Sequence, residues 1–283
     1  MSDQVGDGHV EESRPGPGFF DLANDRAIRL IGTALSLAFA LAVLAMLAFI
    51  LFINERSAID VDLFFKILPQ FLEPLWVVLQ VFLIGSVLSV FFGIFVGLAR
   101  VSKSPITNGI STAYVEFFRG TPLLFQIIVV YYGVPALWPP GEFPFTTWWF
   151  PAAIIAFTLN HAAYEGEAIR GGIAAVPDGQ MEAARSLGMS YTQGMREVVL
   201  PQAWRNALAA IGNDMVILVK DTSLLTVIAA PELISQFRDV NSTYFDPWTP
   251  ILILAFAYLA ITVPLGKFVR YMEQRADWGG EHE

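Results

Sequence analysis

Long apolar runs alternate with short polar segments along most of the chain. The first run covers residues 28–53 and the second covers 71–99. A helix rises about 1.5 Å per residue, so a run of about 20 apolar residues crosses the roughly 30 Å hydrocarbon core of a bilayer. Further runs of this kind lie at 114–133, 148–169, 201–219 and 249–270. The pattern predicts an all-α membrane protein with six transmembrane helices.

The segment before the last predicted span is apolar but too short to cross a bilayer. Residues 224–237 are interrupted by Pro231, which lacks a backbone donor and breaks a helix. We therefore expect a re-entrant or interfacial helix here. In the second span, Gly85, Gly93 and Gly97 are spaced for close contact with another helix.

The distribution of basic residues predicts an orientation. If the N-terminus is cytoplasmic, thirteen of the 17 Lys and Arg residues lie on the cytoplasmic side of the six spans. Cytoplasmic loops are enriched in these residues, so both termini are predicted to be cytoplasmic. Residues 1–27 and 273–283 are rich in acidic side chains and are predicted to be cytoplasmic tails.

The composition excludes several kinds of chemistry. There is no cysteine, and two of the three histidines lie near the termini, which excludes a cysteine nucleophile and a histidine-rich metal site. No G-x-x-x-x-G-K-[ST] phosphate-binding motif occurs. We therefore predict no catalytic site, metal or cofactor, and no ATP hydrolysis by this motif.

The longest predicted cytoplasmic connection, about 170–201, is expected to form two short helices. An apolar stripe recurs at helical spacing, made of Met181, Ala184 and Leu187. Gly188 is placed to end the first helix in a left-handed turn. Ser190 and Gln193 form a capping box that begins the second helix. These residues alone indicate an amphipathic connector at the membrane surface.

This connection also resembles the E-A-A loop of ABC importer permeases. The residues that match are Glu182, Ala183, Ala184, Gly188, Leu200 and Pro201. In that family the loop forms a coupling helix that docks into a groove on the ATPase subunit, and the glycine permits the bend. The resemblance implies a type I ABC importer permease core of five helices, over about residues 70–272. The span at 28–53 would then be an additional N-terminal helix.

Three further segments resemble polar amino-acid uptake permeases of the histidine, glutamine and glutamate type. They are YVEFFRGTPLL from Tyr114, YEGEAIRGGI from Tyr164 and KDTSL from Lys220. The resemblance implies a polar amino-acid substrate, most similar to glutamine or glutamate. It also implies separate ATP-binding cassette ATPase subunits, an extracytoplasmic solute-binding protein, and a second permease chain that is either identical or a paralogue.

Polar side chains at membrane depth mark candidate substrate contacts. Ionisable groups cost roughly 2.5–3.5 kcal/mol at the centre of a span, which suggests that they serve a function. Asp214, half-way along the fifth span, is predicted to bind the amino group of a zwitterion through a charge-assisted hydrogen bond. Asn160, Tyr164 and Thr222 are further candidates. Alternatively, Asp214 pairs with Lys220 or with a neighbouring helix.

Other interpretations were weighed against the importer. A stand-alone secondary transporter or channel would need inverted repeats, and the sequence contains no such repeat. An intramembrane enzyme would need an acid pair, but Glu165 and Glu167 are two apart and do not face each other on a helix. His161 is interpreted as a satisfied interior histidine. Arg119 either begins a helix and snorkels to the interface, or acts as a gate.

Overall fold

The computed structural model describes residues 19–49 and 59–277, which fall into two compact units. In the first unit, helix α1 covers Phe19–Ala48, and its large apolar side chains between Leu30 and Met46 are exposed. This helix begins well before the predicted start of the first span. Residues 50–53 of that span, residues 1–18 of the predicted N-terminal tail and residues 278–283 of the C-terminal tail lie outside the described residues.

The second unit is a bundle of helices. Its helices are α2 (Val61–Ile67), α3 (Leu72–Arg100), α4 (Pro105–Gly120), α5 (Leu123–Ile128), α6 (Trp149–Ala174), α7 (Asp178–Ser186), α8 (Tyr191–Gly194), α9 (Leu200–Asp221), α10 (Leu233–Tyr244) and α11 (Trp248–Asp277). Its largest apolar core contains residues from α2, α3, α6 and α9, among them Ile67, Val78, Phe157 and Leu218.

Helix α6 packs tightly against both α3 and α9 through glycines. A Cβ atom placed on Gly97 would lie 2.8 Å from the Cβ of Ile169. One placed on Gly172 would lie 2.4 Å from the carbonyl oxygen of Ala203. The helix backbones therefore approach so closely that a side chain does not fit. The close contact predicted for Gly93 and Gly97 is confirmed, because both face α6.

The predicted span at 114–133 is wrong as a single helix. Helices α4 and α5 are separated at residues 121–122, and the pair is bent by 102°. Thr121 and Pro122 are both extended. Thr121 precedes a proline, and a residue in that position disfavours the helical region. The side-chain Nε2 atom of Gln126 donates to the carbonyl oxygens of Phe118 and Thr121, so carbonyls freed by the break are satisfied.

The predicted count of six transmembrane helices is not confirmed. Among the described residues, Val61–Arg100 and Trp248–Arg275 are long and apolar enough to cross a membrane, and the bent pair adds a third span if it counts as one. Helices α6 and α9 have 26 and 22 residues, but polar and charged side chains lower their hydropathy. Around Pro231 the predicted break is confirmed, since a 3-10 helix ends at Ile228 and α10 begins at Leu233.

Candidate functional site

The connection between α6 and α9 forms the predicted helix–turn–helix. Helix α7 ends at Ser186, and Gly188 has a φ of 86°, the left-handed conformation that glycine adopts without strain. The hydroxyl of Ser190 accepts from the backbone of Gln193, whose side chain accepts from the backbone of Ser190. The glycine turn and the capping box are therefore both confirmed.

The second helix of this connection is not a separate short helix. Helix α8 is followed by a π-helical turn at Met195–Val199, which leads directly into α9 at Leu200. Pro201 lies in the first turn of α9 and has no backbone N–H to donate. A missing donor is tolerated at this position, where the π-helical turn gives way to the α-helix. The predicted Leu200 and Pro201 positions thus lie inside one helical run from Tyr191 to Asp221.

The predicted apolar stripe divides into a buried and an exposed part. Ala184 is buried, and a Cβ on Gly194 would lie 2.8 Å from the sulfur of Met181, so the two helical segments pack closely. Leu187, the third member of the stripe, is 80% exposed. The amide of Leu187 still donates to the carbonyl oxygen of Ala183, so Leu187 keeps its helical spacing, but no other described segment covers its side chain.

The exposed surface of this connection contains several of the predicted coupling residues. Glu182, Ala183 and Gly188 are exposed, and Leu187 adds a large apolar side chain to the same segment. Isolated exposed leucines are common, but here the leucine is the residue directly before a rigid left-handed turn. The segment can therefore present an apolar contact to a partner in a fixed position.

Asp214 pairs with His161 of the neighbouring helix α6. The Nδ1 atom of His161 lies 2.8 Å from Oδ2 of Asp214, and both residues are buried. The sequence analysis offered a pair with a neighbouring helix or with Lys220 as the alternative to substrate binding. The structure shows the pair with a neighbouring helix. His161 is interior, as predicted, and its ring stacks on Phe157 with centroids 5.9 Å apart. It is not fully satisfied, because its Nε2 atom has no hydrogen-bond partner among the described residues.

Two further acidic side chains surround this pair. Oδ2 of Asp221 lies 3.7 Å from Nε2 of His161, and Oε1 of Glu165 accepts a hydrogen bond from the hydroxyl of Ser89 at 3.1 Å. Nε2 of His161 and Oε2 of Glu165 have no hydrogen-bond partner among the described residues. The junction of α3, α6 and α9 therefore contains a polar cluster inside an apolar bundle.

The structure places the remaining candidate contacts in different surroundings. Asn160 is buried and its amide donates to the carbonyl of Phe118 at 3.1 Å and to Oε1 of Gln126 at 3.0 Å, so it supports the bend between α4 and α5. Thr222 is fully buried and donates to the carbonyl of Val219. Tyr164 is 39% exposed. Only Tyr164 among these candidates presents a substantially exposed side chain.

An arginine cluster around Glu167 was missed by the sequence analysis. The carboxylate of Glu167 lies 2.8 Å from Nε of Arg100, 3.1 Å from Nε of Arg170 and 3.7 Å from Nη1 of Arg119. The Arg119 guanidinium also lies 5.1 Å from the centre of the Tyr164 ring. The three arginines come from α3, α4 and α6, and only the Glu167–Arg170 spacing of three residues could have been recognised from the sequence.

These features define a class of protein: a helical membrane protein with an exposed connector and a polar cluster at the junction of its central helices. A family model described as binding-protein-dependent transport system inner membrane component matches residues 89–278. The chain belongs to this family.

Curated relatives cover most of the chain. It is 35% identical over 216 residues to the probable amino-acid ABC transporter permease protein PatM of Vibrio harveyi, covering 76% of this chain and 96% of the relative. It is 32% identical over 208 residues to the arginine transport system permease protein ArtQ of Bacillus subtilis, covering 74% and 93%.

Solved structures give the same fold. A crystal structure described as an amino acid ABC transporter with histidines superimposes with a TM-score of 0.70 at 32% identity, covering 77% of this chain and 99% of that chain. An inward-facing MetNI methionine ABC transporter superimposes with a TM-score of 0.59 at 18% identity, covering 73% and 98%, and shows the fold alone. The type I ABC importer permease fold expected from the sequence is confirmed.

Proposed function

We propose that this chain is the permease subunit of an ATP-driven importer that moves polar amino acids, most similar to glutamine or glutamate, across the cytoplasmic membrane by alternating access. The observation that carries the proposal is the exposed, rigid connector from Asp178 to Gly194. Relatives are named for arginine, glutamine, L-cystine and nopaline transport, which supports an amino acid or a derivative of one as substrate.

The connector supports separate ATPase subunits as partners. The exposed residues of the connector are Glu182, Ala183, Leu187 and Gly188. Ala184 is buried and packs the segment against the rest of the protein. An exposed surface in a fixed conformation can dock into a groove on another subunit. That subunit would supply the ATP-binding motif that this chain lacks. The same proposal includes a solute-binding protein outside, a second permease chain, and both termini in the cytoplasm.

Asp214, Asn160, Tyr164 and Thr222 remain the proposed substrate contacts. Asp214 lies beside Asn213, which is exposed on α9, so the pair is at the boundary between the bundle and the open face of that helix. Tyr164 is exposed one turn away from His161 on α6. Asn160 and Thr222 act through their neighbours in the described conformation, because both are buried.

Uptake by reconstituted vesicles tests the function. The chain is co-expressed with a candidate ATP-binding cassette ATPase and a candidate solute-binding protein from the same organism, and uptake of labelled glutamine, glutamate, histidine and arginine is measured with ATP on the ATPase side. We expect uptake that requires ATP, the ATPase subunit and the binding protein together. Uptake by the chain alone, driven by an ion gradient, would support the alternative of a stand-alone secondary transporter.

A further inference from the structure

A cavity at the end of the bundle opposite the connector combines an unpaired cation with an unpaired anion. It has a volume of about 340 Å³ and is lined by residues of the 3-10 helix Thr222–Ile228 and of α10. Its polar lining consists of Thr226, Ser235, Arg238 and Asp239. We propose that this cavity binds the zwitterionic backbone of an amino acid, with Arg238 on its carboxylate and Asp239 on its ammonium group. The inference rests on the proposed function and adds a second substrate site to it.

The two charges in this cavity are not neutralised within the described part of the chain. The hydrogen bonds that Asp239 accepts from the hydroxyls of Ser242 and Thr243 go to its backbone carbonyl, and its carboxylate has no partner there. Arg238 has one side-chain contact, from Nη1 to the hydroxyl oxygen of Thr226 at 3.4 Å. An amino acid supplies both a carboxylate and an ammonium group, so it can pair with both side chains through charge-assisted hydrogen bonds.

Helix α10 presents both charges to the cavity because of their spacing. Ser235, Arg238 and Asp239 are separated by three and four residues and share one face of the helix. Glu232 fixes the start of this helix, since its fully buried carboxylate accepts from two backbone amides of the first turn. The hydroxyls of Ser235 and Thr226 lie 3.3 Å apart and join α10 to the 3-10 helix. The site is therefore preformed, and its volume is within the range of small-molecule sites, about 300–1,000 Å³.

The location of the cavity suits a substrate that arrives from outside. Helix α9 begins beside the connector at Leu200 and ends at Asp221, where the 3-10 helix follows. With the connector in the cytoplasm, as proposed, the cavity lies at the extracytoplasmic end, where the solute-binding protein would release the amino acid. The other lining residues are Ala229, Ala230 and Pro231, which have no polar side chain. The site therefore recognises the amino-acid backbone and not a particular side chain.

Direct binding to the detergent-solubilised permease–ATPase complex tests this inference without the solute-binding protein. Labelled glutamine is titrated onto wild type, Arg238→Gln, Asp239→Asn and a control, Lys66→Gln. Lys66 is an exposed cation that lies outside the cavity and 5.1 Å from the ring of Tyr244, the last residue of α10. We expect Arg238→Gln and Asp239→Asn each to weaken glutamine binding at one site about tenfold or more, because each removes a charge-assisted hydrogen bond. Lys66→Gln should leave the binding unchanged.

Blocked analogues identify which group each side chain holds. N-acetylglutamine lacks the ammonium group, so its affinity should fall in Arg238→Gln and be the same in Asp239→Asn as in wild type. Glutaminamide lacks the backbone carboxylate, so it should show the reverse pattern. Both analogues should bind wild type more weakly than glutamine does.

Several results would overturn the inference. A wild-type complex that binds no glutamine overturns it, as does a glutamine affinity that neither Arg238→Gln nor Asp239→Asn changes. If these two variants instead weaken only the affinity for the solute-binding protein, the surface docks that protein and the inference is wrong. ATP-dependent glutamine uptake together with either result refutes this inference alone, whereas an importer that takes up no amino acid refutes the proposed function as well.

Discussion

Replacing Gly172 with alanine should loosen the contact between helices α6 and α9. The added Cβ would lie 2.4 Å from the carbonyl oxygen of Ala203 and 3.1 Å from both N and Cβ of Ala207. The nearest obstacle is backbone, which cannot rotate away as a long side chain could. The helices must therefore separate, and the pair His161–Asp214, which joins the same two helices, must lengthen with them.

The adjacent glycine provides a matched control for the size of the effect. A Cβ on Gly171 meets nothing within 4 Å, so Gly171→Ala gains helix propensity without a clash, roughly 0.5–1 kcal/mol. Gly172→Ala gains the same propensity but overpacks the interface, which costs about 1–3 kcal/mol. The difference in unfolding free energy between the two variants therefore isolates the clash at about 1–3 kcal/mol.

Thermal unfolding of the detergent-purified permease–ATPase complex measures this difference. Tryptophan fluorescence gives the Tm, and a domain of this size changes by about 2–4 °C for each kcal/mol. We expect Gly172→Ala to unfold several degrees below Gly171→Ala and to transport less. Equal Tm values for the two variants would refute the packing argument, because they differ only in what the new methyl group touches.

Three further substitutions have expected outcomes. Gly188→Val forces a β-branched residue into a left-handed turn at about 1–2 kcal/mol, and ATP-driven uptake should fall while the bundle stays folded. Glu167→Gln leaves three arginines without their carboxylate at about 1–3 kcal/mol and should lower the Tm. Asn160→Ala leaves Oε1 of Gln126 without its donor and removes one of two donors to the carbonyl of Phe118, at about 1–3 kcal/mol, and should increase protease cleavage near residues 121–122.

Each of these outcomes has a control or a contrary result. Gly179→Ala is the control for Gly188, because a Cβ there meets nothing within 4 Å and α7 continues through it. If Gly188→Val kept full ATP-driven uptake, the left-handed turn at Gly188 would not be needed for coupling to the ATPase. Glu167→Asp keeps the charge and should retain most of the stability. Unchanged cleavage in Asn160→Ala would mean that Gln126 alone holds the bend.

Local sequence signals predicted local structure well. Gly188 and the Ser190–Gln193 box act through backbone bonds within a few residues, so their turn and cap follow directly from residue type. Pro122, within the sequence TPL, indicates the bend at residues 121–122. The apolar composition of 114–133 instead led to the prediction of one continuous span. Proline's effect on the preceding residue is the stronger constraint.

Side-chain contacts between residues far apart in the chain could not be predicted from the sequence. The partner of Asp214 is 53 positions away and depends on the rotation of α6 against α9, which glycine contacts determine. The same applies to Arg100, which reaches Glu167 across 67 positions. Leu187 shows a different limit, since an apolar side chain at helical spacing is buried only where another element covers it.

The uninterrupted helical run from Tyr191 to Asp221 has a mechanical consequence. About 20 residues separate Gly194, at the exposed connector, from Asp214 in the polar cluster, a length of about 30 Å along the helix. A rod of that length that tilts by about 10° moves its far end by about 5 Å. A rigid tilt of this run about its Gly194 end would therefore displace the buried carboxylate by about the length of an amino-acid side chain.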